Sequence, residues 1–107
     1  MNFKVNELAV AQADIEGIFN WLLERSRQGA ESWLEAYEQL LATLSSRPLS
    51  FPLAQENDDC EFEIREALFK TRHDRTYRAI FFIDENVVNI ARIRGPGQAN
   101  VRPDNLL

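Results

Sequence analysis

The 107-residue sequence holds one cysteine, Cys60, one histidine, His73, and one methionine, at its first position. A single cysteine excludes an internal disulfide and the usual zinc ligand sets. Asp58, Asp59 and Glu61 around it oppose a thiolate, so Cys60 reads as an inert thiol rather than a nucleophile. No apolar run approaches the ~18 residues that a membrane span requires. Met1-Asn2-Phe3-Lys4-Val5 lacks a basic region followed by an apolar one, so no secretory signal is expected, and a cytoplasmic protein without a membrane partner follows. There is no phosphate-binding glycine loop and no metal-ligand cluster, so no cofactor and no metal site is expected. Gly95-Pro96-Gly97 reads as a turn, because its proline removes an amide that an anion nest needs.

What is present is ordinary globular composition, 45% hydrophobic and 27% charged. The length fits a single domain spanning 1–107. The net charge of −5 is unevenly placed. Residues 1–60 carry four Lys/Arg against ten Asp/Glu, whereas residues 61–107 carry eight against seven. Between Arg65 and Arg78 five basic residues face only Glu66 and Asp74. An anionic partner would therefore meet the second half, although the acidic whole disfavours strong non-specific binding of nucleic acid.

The hydrophobic pattern predicts the elements. Phe3 and Val5 alternate with polar residues as a short strand, and Asn6 is a fair N-cap for a helix. From about Ala9 to Arg25, Ile15, Ile18, Phe19 and Leu22 recur at helical spacing, with Trp21 and Leu23 off that stripe as contacts to a further neighbour. Ser26-Arg27-Gln28-Gly29 breaks the pattern, Ser26 as a cap and Gly29 as relief for the turn. A second helix over roughly Ala30–Leu44 has Trp33, Tyr37, Leu40, Leu41 and Leu44 as its buried stripe. The short link makes an antiparallel helical hairpin. Pro48 and Pro52 then force a loop, with Leu49, Phe51 and Leu53 as apolar anchors. Three antiparallel strands follow: Phe62–Phe69, bent near Glu66; Tyr77–Ile83, covered on both faces; and Val87–Ile93, after the Asp84-Glu85-Asn86 turn. The fold class is α+β, with an N-terminal strand, a helical hairpin and a three-stranded antiparallel sheet, the helices on one sheet face.

In that order the segments resemble the RelE/ParE toxin superfamily. The acidic-apolar first helix resembles it in Ala13-Asp14-Ile15-Glu16-Gly17-Ile18 and Asn20-Trp21-Leu22, and the second in Ala30-Glu31-Ser32-Trp33 with Leu44-Ser45-Ser46-Arg47-Pro48 at its end. Most diagnostic are Ile64-Arg65-Glu66-Ala67-Leu68-Phe69-Lys70, Tyr77-Arg78-Ala79-Ile80-Phe81-Phe82 and Val87-Val88-Asn89-Ile90-Ala91-Arg92-Ile93-Arg94-Gly95, which resemble the three core strands of the family. The resemblance covers residues 2–107. It implies the toxin of a bacterial type II toxin–antitoxin pair, held inactive by a cognate antitoxin whose segment folds over the toxin, in a heterotetramer or larger assembly.

The superfamily contains two mechanisms. One branch cleaves mRNA on the ribosome. That chemistry needs an orienting base, cations for the phosphate and an acid for the leaving oxygen. The candidates here are Arg65, Arg72, His73, Arg78 and Arg94, with His73 alone having an ordinary pKa near neutrality. The ParE-like branch binds and inhibits DNA gyrase. Two departures argue against the nuclease: the tail Gln98–Leu107 has neither tyrosine nor histidine, and Arg94-Gly95-Pro96-Gly97 stands where related plasmid-stabilisation proteins commonly carry a His-Gly pair after the arginine. Net acidity also fits ribosomal RNA poorly. The resemblance therefore implies a binding toxin, with Lys70, Arg72, Arg75, Arg92 and Arg94 as target contacts. The nuclease and a non-toxic member that only binds its antitoxin remain the alternatives. Structural roles for the same residues are also open. Arg65 and Arg78 can pair with Glu63 or Glu66, Arg92 and Arg94 can lie solvated on one sheet face, and Tyr77 can belong to the core.

Overall fold

The computed structural model describes residues 2–71 and 75–98. The chain runs β1 (Lys4–Glu7), α1 (Ala9–Arg25), α2 (Arg27–Ser46), short 3-10 turns at Pro48–Ser50 and Asn57–Asp59, β2 (Arg65–Lys70), β3 (Thr76–Asp84) and β4 (Val87–Arg94). The architecture is α+β as expected, but the sheet has four strands in the order β1-β4-β3-β2. The three C-terminal strands form the antiparallel meander read from the sequence, and β1 adds to β4 in parallel. Strand periodicity identifies β1 but carries no information about its pairing partner, which lies more than 80 residues away.

Asn6 does not cap α1. It remains in β1, where its amide donates to Asn89 Oδ1 at 3.1 Å, and Leu8 stands at the cap position with no side-chain bond. Ser26 alone separates the helices and accepts a bond from the Gly29 amide at 3.0 Å. Gly29 therefore lies inside α2, which begins three residues before the expected Ala30. A serine whose hydroxyl caps the third following amide suffices to restart a helix without a glycine turn.

One face of the sheet packs under both helices. Trp33, Tyr37, Leu40 and Leu44 of α2 meet Ala67, Phe69, Tyr77, Ala79, Phe81, Val88, Ile90 and Ile93, with Ile15, Ile18, Phe19 and Leu22 of α1 packed against them. Tyr77 is core, as its apolar strand implied. Trp21 and Leu23 are 45% and 44% exposed, and the Arg25 guanidinium lies 3.7 Å from the Trp21 ring centroid. The opposite face is covered by the loop before β2, through a smaller cluster of Ala54, Ile64, Ile80 and Ala91. The central strand is thus buried on both faces. The loop anchors differ from expectation: Leu49 and Leu53 are exposed, while Pro48 and Ala54 are buried and Phe51 packs edge-on to Phe81.

A bulge in β4 decides which side chains reach each face. Ile80 pairs with Arg92 and Phe81 with Ile90, leaving Ala91 as the additional residue. Side chains alternate along a strand, so continuous pairing from Ile90 would turn Arg92 and Arg94 under the helices and Ile93 outward. The extra residue returns Ile93 to the core and places Arg92 and Arg94 on the face of Arg78.

Tyr37 ties the middle of α2 to β1, donating to Glu7 Oε2 at 2.5 Å. Burial first, and then the bond and charge of Glu7, push its phenol well above the ordinary 10.0. The fold retains a proton that the unfolded chain begins to lose near pH 10. The associated stability is complete below that pH and falls as pH rises beyond it, by about 1.4 kcal/mol per pH unit. Urea unfolding at a series of pH values from neutral to strongly alkaline should show this loss, with a slope shallower by about one proton in Tyr37→Phe. An unchanged slope in that variant would assign the loss to other groups.

Candidate functional site

On the face away from the helices, β3 and β4 place Arg78, Arg92 and Arg94 side by side, Arg78 paired in register with Arg94. Three carboxylates converge on them from different elements: Asp14 of α1, Glu56 of the covering loop and Glu66 of β2. Arg78 grips Glu56 with two bonds of 2.7 Å, Nη1 to Oε1 and Nη2 to Oε2, and donates a third to Glu66 Oε1 at 3.2 Å. The pair is nearly dry, with side-chain exposures of 11% for Arg78 and 2% for Glu56. The Glu56 bond raises the Arg78 guanidinium further above its ordinary value, against burial, and the charges of Glu56 and Glu66 reinforce the shift.

Glu66 Oε1 also accepts the Gln55 amide at 2.9 Å, and Asn57 Oδ1 accepts the Ile64 amide at 2.9 Å. The carboxylates therefore hold the covering loop as well as the arginine. Arg65, on the neighbouring register position, performs a similar task from the other face. It donates to the Phe51 carbonyl at 2.6 Å and pairs with Glu63 at 2.8 Å.

Arg92 is held by Asp14, Nε to Oδ2 at 2.8 Å and Nη2 to Oδ1 at 3.2 Å, and Asp14 Oδ2 also accepts the Ile93 amide at 2.9 Å. β1 has ended at Glu7, so the first turns of α1 take over the edge of β4, and an aspartate on that helix satisfies a strand donor. This is the physical reason that Arg92 is not solvated: its side chain is only 15% exposed. Arg94 is half-buried as well. Burial lowers its guanidinium below the ordinary value, followed by repulsion from Arg92, while Asp14 counteracts. Three arginines against three carboxylates leave this face formally neutral.

The expected target contacts are thereby divided. Lys70 and Arg75 are exposed at one end of the sheet, where the Thr71 amide donates to the Arg75 carbonyl at 3.1 Å. Arg75 borders a cleft of about 490 Å³ at the α1–α2 junction, lined also by Trp21, Arg25, Ser26, Thr71 and Tyr77. Arg92 and Arg94 belong to the neutralised face. Arg72 and His73 lie outside the described residues. Of the expected nuclease set, Arg78 and Arg94 are brought together, whereas Arg65 is directed to the Phe51 loop. Cys60 is half-buried, and burial, then Asp59 and Glu56, push its thiol up, as an inert cysteine requires.

Sequence reasoning anticipated the Arg65–Glu63 and Arg78–Glu66 pairs but missed Glu56 and Asp14. Nothing in Gln55-Glu56-Asn57-Asp58-Asp59 distinguishes the buried glutamate from its exposed neighbours. Asp14 occupies an ordinary polar position of an amphipathic helix. No group of three or more His, Cys, Asp or Glu side chains among the described residues is arranged to hold a metal ion. No helix of the described residues is long and apolar enough to cross a membrane.

A strand, a helical hairpin and an antiparallel meander closing on a parallel first strand, with arginines on the face away from the helices, agree with a toxin domain of the RelE/ParE superfamily. A family model described as ParE toxin of type II toxin-antitoxin system, parDE, matches residues 9–99, and the chain belongs to that family. A search of curated proteins finds no match to it. The family makes the chain a toxin of a type II toxin–antitoxin system and implies a cognate antitoxin as its partner.

Proposed function

We propose that this toxin acts by binding a macromolecular target, DNA gyrase, rather than by cleaving RNA, and that its antitoxin neutralises it by covering the toxin surface. One observation carries the reading. Arg65, Arg78 and Arg92 are each committed to a carboxylate at 2.7–2.8 Å, and Arg78 to two. A phosphodiester would have to displace Glu56 from a dry, bidentate pair before Arg78 could stabilise developing charge, whereas a preorganised site meets that charge without rearrangement. The exposed cations at the β2–β3 turn, Lys70 and Arg75, are accessible to an acidic protein surface as they stand. With the net charge of −5, they favour a localised protein contact over a nucleic-acid groove.

Induced expression in a bacterial host, with and without the neighbouring reading frame, tests this. Growth should stop while labelled amino-acid incorporation continues at first, and purified protein should inhibit gyrase supercoiling. Co-expression of the antitoxin should restore growth. Loss of incorporation within minutes would transfer the chain to the nuclease branch. Soluble protein without growth arrest would make it a member that only binds its antitoxin.

A further inference from the structure

We propose that the cleft at the α1–α2 junction is a binding site for a small phosphorylated ligand with a flat ring, the chemistry of a nucleoside monophosphate. The inference goes beyond the gyrase and antitoxin readings and rests on this chain's own residues.

The volume of the cleft, about 490 Å³, is that of a small-molecule site. Its walls come from the last turn of α1, the first turn of α2 and the β2–β3 turn. No carboxylate lines it, although the chain carries 17 Asp and Glu against 12 Lys and Arg. Two arginines do, and each stands beside an aromatic ring. Arg25 Nη1 donates to the Trp21 carbonyl at 2.8 Å, and the guanidinium lies over the Trp21 ring, so its head is held in place before any ligand arrives. Arg75 meets the Tyr77 hydroxyl: burial pushes that phenol up, and the charge and hydrogen bond of Arg75 oppose the shift.

Unlike Arg65, Arg78 and Arg92, these two arginines are not committed to an acid. Among the described residues, the carboxylate contact of Arg25 is Glu24 at 3.8 Å, between side chains 52% and 78% exposed, where solvent screens the attraction. Arg75 has no carboxylate within ion-pair distance among the described residues. The start of α2 adds to the field, since its first turn carries no acid, and Ser26, Gln28 and Gly29 line the cleft. Two guanidinium forks match a phosphate monoester, which carries about two negative charges; a carboxylate would leave one fork unmatched. Trp21, Leu22 and Tyr77 give the cleft apolar surface for a ring. A longer nucleic acid fits less well, because Glu24 and Glu31 are exposed beside the cleft and would repel further phosphates. An occupied cleft would neutralise Arg75, one of the two exposed cations assigned to the target.

The test uses the full chain, ¹⁵N-labelled, titrated separately with adenosine monophosphate, adenosine, inorganic phosphate and a short single-stranded oligodeoxyadenylate. Adenosine monophosphate should perturb the Trp21 indole N–H and the Gln28 and Gly29 amides, and should bind at least about tenfold more tightly than adenosine or phosphate alone. Arg25→Gln and Arg75→Gln should keep the denaturation midpoint of the parent and each weaken that binding by about tenfold or more, as one charge-assisted pair is lost. Trp21→Ala should remove the preference for adenosine monophosphate over phosphate, and Trp21→Phe should retain it. Phosphate binding as tightly as the nucleotide would overturn the assignment of the ring, and tighter binding of the oligonucleotide would make the cleft a nucleic-acid contact instead. Perturbations elsewhere, or none, would overturn the site itself, as would unchanged affinity in both arginine variants. Gyrase supercoiling reports separately on the target reading, so either can fail while the other stands.

Discussion

Glu56→Ala is expected to destabilise the fold by about 3 kcal/mol or more, because it leaves the Arg78 guanidinium buried with only the longer bond to Glu66. The magnitude follows from desolvation. Forming the pair gives back part of what it costs to bury each ion, but removing one ion leaves the other unpaid for in a dry site. Arg78→Ala should cost at least as much, since it strands Glu56 and Glu66 together. The double variant should lose less than the sum of the two, because the residues share one network. Denaturant midpoints of the three variants decide this. A loss below about 1 kcal/mol for Glu56→Ala would indicate that water enters the site readily, as at an exposed pair. The same series bears on mechanism. If Arg78 acts structurally, toxicity of these variants should fall with the folded fraction; a fully folded Arg78 variant without toxicity would restore a direct role in the target reaction.

Trp33→Ala should be comparably severe, at about 3–5 kcal/mol, with a melting temperature lower by roughly ten degrees or more. Trp33 is fully buried, stacks on Tyr37 at a centroid distance of 5.5 Å and touches the Phe69 and Tyr77 rings at 5.9 Å. Those rings come from α2, β2 and β3, so the cavity would open where the helical hairpin meets the sheet. Trp21→Ala is the natural control. Its ring is 45% exposed and lies under the Arg25 guanidinium, so the loss should be within about 1 kcal/mol. Equal losses at the two tryptophans would refute the assignment of Trp33 as the centre of the core.

These two predictions differ in how far the sequence alone could have carried them. Trp33, Tyr37, Leu40 and Leu44 recur at helical spacing, and the apolar run from Tyr77 to Ile83 is a buried strand on its face. Ser26 marks the helix break by its chemistry. All of this information is local, since a side chain's spacing and capping chemistry act within a turn or two of the backbone. The Glu56–Arg78 bond spans 22 positions and the Asp14–Arg92 bond 78, and no local pattern marks either acid.

The amino-acid order by itself determined the elements, the helical hairpin, the antiparallel meander and the family to which they belong. Only the tertiary structure decided the parallel seat of β1 against β4, the bulge at Ala91 and the neutral state of the arginine face. The physical reason is common to the three. With a side-chain period of two, one inserted residue exchanges the faces of a strand, and whether an arginine is a free cation or half of a buried pair depends on which distant element that face meets.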